Sequence, residues 1–280
     1  MNKSELEQKI DSLGFTDDLI FKLVLSSHPD ICKELIRRII PGTDVSDLRY
    51  LSTEHEIIVD LKAKRIRLDM YAENDRDRYD LEMYQWRPDS IEKTAEYHAS
   101  MMASDLRIAG TPDELKNITV ILFCAFDPFK LERPVYHVHE ILDDDPAHIY
   151  NGIVHKYFIS NRGIDQASDE MKPVIQLLSG SSEENDDPFY QKIQNAVNEA
   201  KRDSAKRKII MLQLEWEQAI REEGKLEGKL EGINEERKSS IQKMLKSLRK
   251  FKVSEEEILS ELLQNFPDDE ENIRELMKQN

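Results

Sequence analysis

Asp69 and Glu82 are the two residues whose types and placing could do chemistry together. They lie in Lys-Arg-Ile-Arg-Leu-Asp-Met-Tyr-Ala-Glu, residues 64–73, and Arg-Tyr-Asp-Leu-Glu-Met-Tyr-Gln-Trp, residues 78–86. Two converging carboxylates offer the oxygen ligands that a hard divalent cation such as magnesium takes. An ion held so can activate water and neutralise charge that builds on a phosphate during cleavage. Acidic residues also decorate ordinary solvated hairpins, so the pair alone leaves both readings open.

The elements that must position the pair are two strands. In the first arm Ile66, Leu68 and Met70 alternate with Arg65, Arg67, Asp69 and Tyr71. In the second Tyr79, Leu81 and Met83 alternate with Asp80, Glu82 and Tyr84. A period of two predicts two half-buried strands. Asn74-Asp75-Arg76-Asp77 supplies a turn between them. Asp69 and Glu82 then stand on the polar faces of neighbouring strands.

The rest of the chain reads as helices around further strands. Ser4–Leu13 predicts a short amphipathic helix, broken by Gly14-Phe15-Thr16. Thr16 can cap a second helix over about 17–40, with an interruption at His28-Pro29 and an apolar stripe through Phe21, Val24, Leu25, Leu35, Ile36 and Ile39. Asp17 and Asp18 fall at its first turn, where the helix dipole favours them. A strand is expected over roughly Leu48–Val59, ahead of the hairpin. Asp89 or Ser90 caps a helix to about Ala109, with Ile91, Ala95, His98, Met101, Met102 and Leu106 near helical spacing. The apolar run Ile118–Phe126 predicts a strand covered on both faces. Tyr136–Ile141 and Ile153–Ser160 are further strand candidates, which together give an α/β mixed sheet flanked by helices.

Composition changes after Ser179, where a polar, acidic linker begins. Phe189 to about Arg221 is strongly helical, with a basic cluster, Lys201, Arg202, Lys206, Arg207 and Lys208, most simply a solvated face. Gly224, Gly228 and Gly232 then recur every fourth residue beside Leu226 and Leu230. Each helical glycine costs about 1 kcal/mol against alanine, so the repeat calls for close helix contact or a frayed arm. Ser254 with Glu257 fits a capping box before Ile258 and Leu259, and Pro267-Asp268-Asp269 opens a second short helix. The domains expected are a core over 1–180, a linker over 181–187, a helical arm over 188–250 and a helical hairpin over 251–280.

The 280 residues carry a formal charge of −16, which argues against broad nonspecific nucleic-acid binding but not against a local basic groove. Cys32 and Cys124 lie in apolar runs and read as packing residues, with no disulfide framework or zinc spacing. His137 and His139 flank Val138 as ordinary strand residues. No apolar run approaches membrane-spanning length and Met1–Leu13 is not a secretion signal, so a cytoplasmic protein without membrane contact is expected.

Several of these stretches are similar to a known family. Phe15-Thr16-Asp17-Asp18-Leu-Ile-Phe21-Lys22, Arg67-Leu68-Asp69-Met70, and Tyr79-Asp80-Leu81-Glu82-Met83 resemble the PD-(D/E)XK nuclease family transposases, also called recombination-promoting nucleases. Tyr97-His98, the strand at Ile118–Phe126 and the glycine-spaced repeat extend the likeness over about 14–235, strongest over 15–130. It implies a restriction-endonuclease-like core and magnesium-dependent cleavage of DNA, with manganese as a substitute ion. Asp69 and Glu82 match the metal-binding acids, and Asp18 an acid on the first core helix. The position two after the glutamate, usually lysine or glutamine, is Tyr84 here. A bulge could turn Gln85 into the site instead. Lys22, Arg65 and Arg67 are candidate phosphate contacts. Two functions follow: a DNA endonuclease of recombination or transposition, self-associating through the helical arm, or an impaired nuclease fold that serves as a binding or regulatory module.

Overall fold

The computed structural model describes residues 3–52, 55–57, 66–104, 114–181 and 185–278; the side chains at 3, 50–52, 55–57, 66 and 67 lie outside that description. The chain divides into two compact units, Asn2–Met211 and Leu212–Asn280.

The first unit is built on a six-stranded mixed sheet. Its strands are β1 (Arg49–Ser52), β4 (Met70–Glu73), β5 (Asp77–Tyr84), β6 (Asn117–Cys124), β10 (Val154–Ile159) and β7 (Val135–Val138), in that spatial order. β5 and β6 run parallel, as do β6 and β10; the outer pairs are antiparallel. Two small ribbons stand apart: β2 (His55–Ile57) with β3 (Ile66–Leu68), and β8 (Ile141–Leu142) with β9 (Asp145–Ile149).

The helices cover both faces. α4 (Ile91–Ser104) crosses from β5 to β6 and buries Ile91, Ala95, Ala99 and Met102 against Ile118, Val120, Leu122 and Cys124. Ser90 Oγ accepts the Lys93 N–H at its start, the cap expected there. On the opposite face α2 (Asp18–Ser27) sets Phe21 against Phe123, ring centroids 5.5 Å apart. β6 is therefore buried on both sides, as its continuous apolar run requires.

α1 (Lys3–Ser12), α3 (Pro29–Ile39), α5 (Lys172–Ser179) and α6 (Pro188–Arg202) complete this unit, with α6 packed on α2, α3 and α5. The expected helix over 17–40 is two helices, because Pro29 cannot donate to the turn before it. Thr16 does not cap α2; Asp17 holds that position, and its Oδ2 accepts the Gly14 N–H at 2.7 Å. Lys201 and Arg207, from the basic cluster, serve the fold: Lys201 Nζ donates to the carbonyls of Asp11 and Leu13, and Arg207 to that of Lys201.

The second unit is helical. Its main element is α7 (Ser204–Lys250), one helix of 47 residues that belongs to this unit from Leu212 on and whose C-terminal part packs with α8 (Glu255–Asn265) and α9 (Glu270–Lys278). Ile241, Leu245, Ile258, Leu262, Ile273 and Leu276 form their core. The Ser254–Glu257 capping box is present, with both reciprocal hydrogen bonds. Gly224, Gly228 and Gly232 sit in an unbroken helix, and a Cβ on any of them would meet nothing within 4 Å. No helix among the described residues is long and apolar enough to cross a membrane.

Candidate functional site

The hairpin forms with Met70 opposite Leu81 and Tyr71 opposite Asp80. The first arm, however, is interrupted at Asp69. β3 before it pairs with β2, and β4 after it pairs with β1 and β5. The interruption shifts the phase of the alternation: Leu68 and Tyr71 share the α4 face, where strict alternation had set Leu68 with Met70. The second arm keeps its period, but both of its faces are buried from Tyr79 to Met83, because α4 covers the face that carries Asp80 and Glu82. The expectation of two half-buried strands is thus corrected for the second arm, which is buried on both faces.

Asp69 and Glu82 do meet. The Asp69 N–H donates to Glu82 Oε1 at 2.8 Å, and the Met83 N–H donates to Asp69 Oδ2 at 3.3 Å. Asp69 Oδ1 lies 2.9 Å from Lys22 Nζ, whose other partner is Asp18 Oδ2 at 2.8 Å. Three of the sequence candidates, Asp18, Lys22 and Asp69, therefore form one charge cluster on the α2 side. Burial works against the Lys22 charge, but Asp69 and then Asp18 outweigh it and raise its pKa. Burial, followed by the Asp18 charge, raises that of Asp69.

On the α4 side Glu82 belongs to a second group. His98 Nδ1 lies 2.8 Å from Asp80 Oδ2 and 3.6 Å from Glu82 Oε1. Asp80 is 0%, Glu82 4% and His98 7% exposed, so all three are withdrawn from bulk water. Burial pushes Asp80 up to about 8. Burial, then the charges of Asp80 and Asp69, raises Glu82 well above the carboxylate range. Both carboxyls are thus raised, so the pair holds a proton over a range in which free carboxylates are ionised. Asp80 Oδ1 is buried and has no hydrogen-bond partner.

The remaining candidates fall outside these clusters. Tyr84 shares the face of Glu82, as alternation requires, and burial followed by the Glu82 charge keeps its phenol protonated. Gln85 is exposed beyond the end of β5, whose pairing with β6 runs without a shift from Asp77 to Tyr84; no bulge turns it inward. Arg67 lies on β3 opposite Glu56, its side chain outside the described residues, as is all of Arg65.

The three ligand atoms of Asp80, Glu82 and His98 lie within 4.8 Å of one another, which makes this the group among the described residues with the spacing to hold a metal ion. Of the acids matched to metal ligands, Glu82 alone belongs to it; Asp69 and Asp18 share the Lys22 ammonium. Comparison with protein-family models, with curated proteins and with solved structures gives no match. The site therefore rests on its own geometry. Asp80 and His98 were absent from the sequence candidates, yet each left a signal. Asp80 shares the Glu82 face, and His98 is a polar residue within the apolar stripe of α4.

Proposed function

We propose that the chain is a metal-dependent nuclease that hydrolyses phosphodiester bonds in DNA, on a restriction-endonuclease-like core of the PD-(D/E)XK transposase kind. The observation that supports the reading is the interlock of Asp69 with Glu82 beside the Lys22 ammonium. A divalent ion at Glu82 would supply an acidified water and neutralise charge on the phosphate. Lys22 brings from α2 the cation that the residue two after Glu82 does not provide. Its side chain keeps 18% exposure, and a phosphate oxygen would share its Nζ with Asp69 and Asp18. Asp69 orients that ammonium, and Asp18 holds it from the other side. Tyr84, still protonated, offers a hydroxyl donor on the same face as Glu82.

The test is cleavage of supercoiled plasmid with magnesium or manganese. Wild type converts it to nicked or linear DNA, and Asp69→Ala slows this by about a hundredfold. Equal rates for the two proteins refute the mechanism. One observation favours the second reading, an impaired nuclease fold that binds without cutting: Glu82 is only 4% exposed and Gln85 faces away. DNA retention without cleavage under the same conditions would select it. The long α7, with Leu212, Trp216, Ile220, Leu226, Leu230 and Ile233 exposed, supports self-association with a second copy.

A further inference from the structure

We propose that Asp80, Glu82 and His98 form a binding site for a first-row transition ion, manganese or zinc, in preference to magnesium. The proposal rests on the nuclease reading only for its use; the binding itself stands on geometry. Two carboxyl groups are enclosed between β5 and α4; of the neighbouring ammonium groups, Lys22 is engaged by Asp69 and Asp18, and Lys156 by Glu96. Enclosed like charges require a proton or a cation between them. Asp80 directs one oxygen to His98 and leaves the other, Oδ1, buried without a partner. A fully buried oxygen of that kind costs free energy unless something positive meets it.

The donor set decides the class of ion. Magnesium prefers an octahedral shell of oxygens and retains several waters. Imidazole nitrogen suits zinc and iron, and carboxylates suit manganese, so a mixed set of this kind admits a first-row transition ion. Two carboxylates with one imidazole, all three less than a tenth exposed, leave little room for a hydrated magnesium ion. His98 packs on the sheet through α4, so the nitrogen ligand and the acids are brought together by separate elements and are pre-placed by the β5–α4–β6 core. Asp69, whose carboxylate carries Lys22, is outside the ligand set.

The experiment uses the full chain, treated with chelator and then titrated with manganese in the absence of DNA. Calorimetry should give one manganese site per chain, with magnesium weaker by about tenfold or more. Electron spin echo of the manganese-loaded wild type should show coupling to an imidazole nitrogen. Asp80→Asn and His98→Gln should each weaken binding by about a hundredfold, and by more than Asp69→Asn does. Manganese bound without nitrogen coupling overturns the proposal, as does loss of binding in Asp69→Asn but not in Asp80→Asn. No uptake of manganese or zinc at millimolar concentration leaves a proton-bridged carboxyl pair and also overturns it. Because no DNA is present, failure here is separable from failure of the nuclease reading, which the plasmid assay decides.

Discussion

Asp80 makes a measurable demand on the stability of the metal-free protein. Its carboxyl is fully buried and its pKa stands at about 8, against an ordinary value near 3.8. Glu82 beside it is raised as well. Between pH 5 and 7 both acids are ionised in the unfolded chain, whereas the folded pair retains at least one proton. The folded state then binds more protons, so stability falls as pH rises. It is fully present below the unfolded values near pH 4 and lost progressively up to about pH 8. One retained proton gives about 1.4 kcal/mol per pH unit, or roughly 2.7 kcal/mol from pH 5 to 7. Asp80→Asn keeps an acceptor for His98 Nδ1 and removes one titrating acid. Its amide can also donate to Glu82, which eases ionisation of that neighbour. Calorimetric melting in chelator should show wild type losing about 5 to 10 °C over this interval, with Asp80→Asn losing less than half as much. Equal losses in the two proteins would refute the account of a proton-holding pair.

The fold and the arm make further demands. Phe123→Ala removes the ring that meets Phe21 on the α2 face and should cost about 3 to 5 kcal/mol in denaturant unfolding. Leu226→Glu with Leu230→Glu should lower the mass seen by sedimentation if α7 joins a second copy, and should leave thermal stability of the single chain nearly unchanged, since both side chains are exposed. An unchanged mass removes α7 from self-association.

What the sequence showed depended on whether the signal was local. The Ser90 cap, the Ser254–Glu257 box and the interruption at Pro29 are each decided within one turn of chain, and each formed. β6 was legible because a strand covered on both faces is apolar throughout. The polar, exposed β9 and the short α5, which contains β-branched Val174 and Ile175, gave no such pattern. The site was half legible. Alternation placed Asp80 and Glu82 on one face but could not say that α4 would cover it. Nor could it reveal the break at Asp69, since the letters alternate straight through. His98 needed the packing of α4 on β6 to become a partner of Asp80.

The interruption at Asp69 has a mechanical consequence. The β2–β3 ribbon and the main sheet are joined at this point by a single residue, and its N–H grips Glu82. The ribbon's other link to that sheet runs from β1 into β2, so any displacement of it would bear on Asp69 as one of two attachments. Through Asp69 such a displacement would reach the Glu82 oxygen and the Lys22 ammonium together.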